Sequence, residues 1–220
     1  MQKEVLIIIP AYNEEKNISK VLDRLEQPEI AEFADILVMN DASSDNTNWI
    51  VKARHHAVVT HVFNLGYGSA LQLGYKYAIR CNYRYVIQMD ADGQHDADNL
   101  INLYHALKTP DENGVYPDIV LGSRYLNDSP YFETSALKRF AFFLFRHIIK
   151  WSTGRTIMDP TTGLQGLSRR AALCYSKFGN FDEKYPDANM ITNMLLSDFN
   201  IVEIPAVMHL REHGKSCTPV

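Results

Sequence analysis

The chain has 220 residues, enough for one large domain with a single core. Hydrophobic residues make up 46% and charged residues 22%, an ordinary soluble composition, and a net charge of −4 argues against general nucleic-acid binding. Three widely spaced cysteines, Cys81, Cys174 and Cys217, lack metal-ligand spacing and read as reduced thiols of a cytoplasmic protein. The N-terminus enters a strand at once, so no signal peptide is expected. No apolar run approaches the roughly 18–20 residues that span a bilayer.

Val5-Leu-Ile-Ile-Ile9 is a β-branched run stopped by Pro10, which predicts a buried strand. Ile18, Val21, Leu22 and Leu25 then fall at helical spacing, predicting a helix over 14–25 that ends before Pro28. Ile36-Leu-Val-Met39 predicts a second strand. The polar cluster Asn40-Asp-Ala-Ser-Ser-Asp45 follows, placed to cap a helix through Trp49, Ile50 and Ala53. A third strand is expected over 58–63. Gly66-Tyr-Gly68 opens a helix with Ala70, Leu71, Leu73, Gly74, Tyr77 and Ala78 as its buried stripe.

The next strand, Tyr85-Val-Ile-Gln-Met89, runs into Asp90-Ala91-Asp92, then Gly93-Gln94-His95. Alternate residues of a strand share a face. Asp90 and Asp92 are therefore expected to aim at one point, with Ala91 leaving room for a ligand. An oxygen-rich site of this kind suits Mg²⁺ or Mn²⁺. The competing reading is a solvated polar loop.

A helix over 97–107 and a loop over 110–117 precede a strand from Asp118 that exits through Gly122-Ser-Arg124. The second half is less regular: a long helix over 135–151, the loop Asp159-Pro-Thr-Thr-Gly163, a helix over 188–196 and a strand at Ile201-Val-Glu-Ile204. Strands alternating with helices, each strand followed by polar residues, predict an α/β fold with an open sheet flanked by helices. Ligands of such sheets bind outside the carboxyl ends of the strands. No repeat or low-complexity linker is present, so the chain divides only into two lobes of one domain, 1–125 and 126–220.

Seven segments in order resemble the inverting family 2 glycosyltransferases of GT-A fold, which include polyprenyl-phosphate and dolichol-phosphate sugar transferases. They are Ile9-Pro-Ala-Tyr-Asn-Glu-Glu15, Asn40-Asp-Ala-Ser-Ser-Asp45, Asn64-Leu-Gly-Tyr-Gly68, Met89-Asp-Ala-Asp-Gly-Gln-His95, Gly122-Ser-Arg124, Asp159-Pro-Thr-Thr-Gly163 and Arg211-Glu-His-Gly-Lys-Ser216. The resemblance implies a GT-A, Rossmann-like mixed sheet with a donor lobe (1–125) and an acceptor lobe (126–220).

By the same resemblance, Pro10, Ala11, Tyr12, Glu14 and Asp41 line the base and ribose pocket, with Gly68 and Ala91 near the nucleotide. For Glu14, Asp41 and Asp45 the alternative is the first turn or cap of a helix. Asp90, Asp92 and Gln94 match the metal motif. His95 reads either as a metal or phosphate contact or as a loop histidine bonded to backbone. Arg124, Arg211, Lys215 and Ser216 match the grip on the donor diphosphate. Asp159 opens the acceptor-side loop and joins Asp92, Asp187 and Arg211 as a catalytic candidate.

One departure stands out. Leu164 and Gln165 occupy positions where the family usually has an aromatic residue and an arginine. A natural phosphate partner is thereby missing. Asp187 lies where hydroxyl-directed relatives place a general base, and also where it would cap the helix over 188–196. The donor is expected to be a UDP, GDP or dTDP sugar. The acceptor is a lipid-linked polyprenyl phosphate or envelope glycan, or else a sugar hydroxyl with Asp187 as base. A relative that binds without turnover is the rival from outside the enzymes. The segment 137–151 mixes large apolar residues with Lys138, Arg139, Arg146 and Lys150, which suits a core helix or one lying in a membrane interface at the inner face.

Overall fold

The computed structural model describes residues 2–126, 136–182, 186 and 188–209. Four strands come first: β1 (Val5–Ala11), β2 (Ala34–Asn40), β3 (Ala57–Thr60) and β4 (Tyr85–Gln88). They alternate with α1 (Ile18–Leu25), α2 (Pro28–Ala31), α3 (Thr47–Ala53) and α4 (Tyr67–Arg80). The chain continues through α5 (Asp98–Lys108), β5 (Ile119–Ser123), α6 (Ala136–Thr153), β6 (Gln165–Ser168), α7 (Arg169–Ser176), α8 (Ala188–Leu196) and β7 (Ile201–Pro205).

All seven strands form one sheet in the order β3-β2-β1-β4-β6-β5-β7. Neighbours pair in parallel except β6, which runs antiparallel to both β4 and β5. The sheet therefore draws its strands from both halves of the chain. β1 is buried at every position because helices cover both faces, which is why it reads as an unbroken apolar run. Leu6 and Ile8 pack into one core with α4, α7 and α8, while Val5, Ile7 and Ile9 pack into the other with α1 and α5. Gly74 lets α4 lie close to the sheet: a Cβ there would come within 2.6 Å of Ile8 Cγ2.

Several boundaries differ from expectation. The first helix begins at Ile18 rather than residue 14, since 14–17 form turns that follow the left-handed Asn13 (φ 56°). β3 stops at Thr60, and Trp49 on α3 is 70% exposed. β6 and α7 were not expected. Gln165-Gly-Leu-Ser168 is too short and too polar to announce a strand, yet it fills the gap between β4 and β5. α7 carried a readable signal: Ser168 caps it by accepting from Ala171 N, and Ala171, Ala172 and Tyr175 form its buried face.

Reversal of β6 matters for the site. Its amino end lies at the edge where the other strands end, so the Asp159–Gly163 loop arrives there beside Asp90 and Arg124.

Candidate active site

The carboxyl edge gathers Ala11, Asp41, His61, Asp90 and Arg124 from five different strand exits. The first two exits are laced together. Asp41 N donates to Ala11 O (2.9 Å), Asn13 N to Ser43 Oγ (3.0 Å), Glu14 N to Thr47 Oγ1 (2.8 Å) and Ser44 N to Asn13 Oδ1 (2.8 Å). Asp45 behaves as a cap: Oδ1 accepts from Thr47 N and Oγ1, and Oδ2 from Glu15 N. Burial pushes its carboxyl up, but these donors outweigh burial and hold it below the usual carboxylate range.

Pro10 and Ala11 are buried, whereas Tyr12, just past the end of β1, is half exposed. Glu14 accepts from Asn17 Nδ2 (2.6 Å). Asp41 is 3% exposed. It accepts from His61 Nδ1 (2.7 Å), Leu65 N (2.9 Å) and Gly66 N (2.8 Å). Its carboxylate thus fixes the turn that leads into α4, where Gly66 takes φ 96°. Sequence reading overlooked His61; nothing in a strand-end histidine announces it. Gly68 is buried at the second position of α4.

The acidic motif lies past the strand. β4 ends at Gln88, so strand alternation does not aim Asp90 and Asp92; turns do. Asp90 Oδ1 accepts from Tyr67 Oη (2.9 Å), a partner on α4 that the sequence did not reveal. Asp90 Oδ2 lies against Gly163, where a Cβ would come within 2.6 Å. Asp92 is 5% exposed and its Oδ1 accepts from Gln94 N (3.0 Å). Ala91 is buried in the core rather than opening space for a ligand. Gln94, expected to assist a cation, donates its side-chain amide to His209 O (3.1 Å). His95 is not bonded to backbone through its ring: the side chain is 1% exposed and neither ring nitrogen has a hydrogen-bond partner among the described residues.

Arg124 and Asp159 form one unit. Arg124 Nε and Nη2 donate to the two Asp159 oxygens at 2.7 Å each, and Arg124 N donates to Oδ2 (3.0 Å). Nη2 also reaches Thr161 Oγ1 (3.0 Å). Asp159 has no exposed surface, so it does not stand where a reactant touches it; it orients Arg124, which corrects the catalytic role expected for it. Burial works against the Arg124 charge, but Asp159, helped by Asp90, raises its pKa. Glu203 on β7 fixes the loop by accepting from Met158 N (2.7 Å) and Asp159 N (2.8 Å). Gln165 is buried in β6 and donates to Thr162 O (3.1 Å), which explains why no arginine is presented from this position. Asp187, Arg211, Lys215 and Ser216 lie outside the described residues.

The donor set fits a hard divalent cation. Among the described residues no group of three or more His, Cys, Asp or Glu gathers as a closed metal site. Asp90 and Asp92 offer the hard carboxylate oxygens through which Mg²⁺ and Mn²⁺ are bound, one or two at a time, together with substrate phosphates.

The model of glycosyl transferase family 2 matches residues 6–175, which carry every one of these strand exits. The chain belongs to this family. It is 31% identical over 175 residues to an uncharacterized protein of Methanocaldococcus jannaschii, covering 77% of this chain and 66% of that one. It is 35% identical over 127 residues to an undecaprenyl-phosphate mannosyltransferase of Micrococcus luteus, covering 54% and 48%. The chain therefore spans about half the length of that mannosyltransferase. Among solved structures, a mannosyltransferase of Pyrobaculum calidifontis in complex with GDP-Man and Mn²⁺ superimposes with a TM-score of 0.62 at 20% identity, over 93% of this chain and 55% of that one. The family 2 member thus has the GT-A fold, with its mixed sheet flanked by helices.

Proposed function

We propose that this family 2 member is an inverting, metal-dependent glycosyltransferase. It moves a sugar from a nucleoside-diphosphate donor to a lipid-linked acceptor, a polyprenyl phosphate or a growing envelope glycan, at the inner face of a membrane. The observation that carries the reading is the Asp159–Gly163 loop. One end orients the Arg124 guanidinium and the other forms the wall behind the Asp90 carboxylate. An acid able to hold a cation and a cation able to grip an anion are thereby fixed against one loop, which is what recognition of a diphosphate needs.

In this reading the base and ribose lie in the crevice beside Tyr12, Glu14 and Asp41. The diphosphate lies between Asp90, Asp92 and Arg124, and Arg211, Lys215 and Ser216 are assigned to its grip on the match of their motif alone. A bound Mg²⁺ or Mn²⁺ would supply Lewis-acid stabilisation of the departing diphosphate. Arg124, half-buried and held by Asp159, keeps its geometry without solvent reorganisation. The acceptor oxygen attacks the anomeric carbon from the opposite face in a single displacement.

A lipid-linked acceptor is supported by α6. Its Phe143, Leu144, Ile148 and Trp151 are exposed, while Arg146 on the same helix lies 5.1 Å from the Tyr125 ring, next to Arg124. Arg146 lies about 200° round the helix from Leu144 and Ile148, so α6 turns one side to the site and its exposed apolar stripe away from it. The undecaprenyl-phosphate mannosyltransferase among the relatives points the same way.

The test measures release of nucleoside diphosphate from UDP, GDP and dTDP sugars, with Mn²⁺, Mg²⁺ or chelator, with and without a polyprenyl phosphate. Metal-dependent transfer with inverted anomeric configuration is expected. Retained configuration, or metal-dependent donor binding with no turnover on any acceptor, would sink the reading. Transfer to a sugar hydroxyl, abolished by Asp187→Asn, would replace the lipid phosphate with the hydroxyl acceptor.

A further inference from the structure

We infer that His95 is a positioning residue for Asp90, holding Oδ2 of this carboxylate and so setting how the carboxylate faces the cation site. The inference rests on the metal-dependent reading above. A buried imidazole whose two nitrogens have no hydrogen-bond partner among the described residues costs stability, and replacing such a group by an apolar one of similar shape is close to neutral or stabilising. Its presence therefore calls for a use outside the fold.

The geometry supplies one. His95 Nε2 lies 3.7 Å from Asp90 Oδ2. The other oxygen, Oδ1, already receives the Tyr67 hydroxyl at 2.9 Å. Gly163 stands against Oδ2 and leaves it only the space that the absence of a Cβ allows. The carboxylate is thus bordered by a hydroxyl donor on one oxygen and an imidazole on the other. Asp90 is the partner able to turn, with its side chain 33% exposed against 1% for His95. A neutral imidazole with its proton on Nε2 donates to Oδ2 once that rotation brings the oxygen into hydrogen-bond range.

The backbone that carries His95 is fixed from the far side. His95 bridges Met208, His209 N donates to Gln94 O (2.7 Å), and Asn99 pairs with Val207 through both its side-chain oxygen (2.9 Å) and nitrogen (2.7 Å). Position is therefore imposed on the ring by the sheet edge, and the ring imposes orientation on Asp90. Partners of metal-binding groups act in this way, and their loss usually weakens metal binding about ten- to hundredfold.

The experiment titrates Mn²⁺ into the protein with GDP or UDP present, reading free Mn²⁺ by paramagnetic resonance, alongside thermal melting. His95→Leu should melt at or above the wild-type temperature yet bind Mn²⁺ at least tenfold more weakly. His95→Gln, whose amide reaches the Nε2 position, should stay within about threefold of wild type, and His95→Asn, whose amide reaches only Nδ1, should resemble Leu. Unchanged Mn²⁺ affinity in His95→Leu, equal affinity of the Asn and Gln variants, or a joint fall of melting temperature and affinity in all three variants would overturn the inference and leave the wild-type reading intact. A wild-type protein that takes up no Mn²⁺ with either nucleotide removes both.

Discussion

Gly163 separates two ways in which a residue can matter. A side chain there meets the end of Asp90 and not the backbone: its Cβ would lie 2.6 Å from Oδ2 and 3.1 Å from Cγ. A carboxylate on a short side chain swings aside at small cost, so Gly163→Ala should fold. The displaced carboxylate no longer meets its target, and a misplacement of about 1 Å can cost on the order of a hundredfold in rate. The expected result is a melting temperature within a few degrees of wild type and donor turnover reduced about ten- to hundredfold, with the loss partly recovered at high Mn²⁺. Wild-type turnover in Gly163→Ala would show that Asp90 is not held where the loop puts it. The same residue scale explains why Asp159 was misread. Its sequence context showed an acid before Pro160 at a loop start, but not that Arg124 would take both of its oxygens from 35 positions away.

Among the elements, the loops after β1 and β2 behave as one structure, because Asp45 holds the start of α3 and the Glu15 amide together. Its carboxyl is depressed in the folded state by the Thr47 and Glu15 donors, against the pull of burial. The sign follows directly. With a lower pKa folded than unfolded, the unfolded chain takes up the proton first as acidity rises. The stabilisation is therefore complete above about pH 5 and is lost as pH falls through and below about 4. Removing a cap of this kind costs about 1 kcal/mol. Asp45→Ala should be less stable than wild type by about that amount at pH 7, and the gap measured by urea unfolding should narrow toward pH 3. A gap that stays constant with pH would assign the effect to shape and not to charge. Elements of this part were legible because each strand is a pure apolar run ended by polar residues. β6 was not legible: a strand of Gln165, Gly166, Leu167 and Ser168 owes its place to neighbours on both sides and to Gly166, which lies close under Leu107. Local propensity carries no trace of such tertiary demand.

For the whole molecule, the decisive relation is between α6 and the sheet edge. The sequence of this helix suited either a protein core or a membrane interface. Ile149 is buried, but Leu144, Ile148 and Trp151, spaced four and three apart, form an exposed stripe, with Phe143 and Phe145 beside it. Among the described residues no helix is long and apolar enough to cross a membrane, so the stripe suits a helix that lies in an interface. Lys150 and Arg155 are exposed nearby and favour an anionic surface. Arg146, on the opposite side of the helix from the stripe, packs over Tyr125 beside Arg124, so a helix resting on a bilayer through the stripe would border the site with its other side. Flotation with vesicles containing phosphatidylglycerol should recover the wild-type protein, with recovery falling as salt is raised. Ile148→Glu combined with Trp151→Glu should lower partitioning about tenfold or more, since a charge replaces apolar surface at two points of the stripe. Donor hydrolysis in solution should be unchanged in that variant, while transfer to polyprenyl phosphate in vesicles falls with binding. Equal flotation of the variant and the wild type would remove the membrane from the account of α6 and leave its apolar stripe to a protein partner.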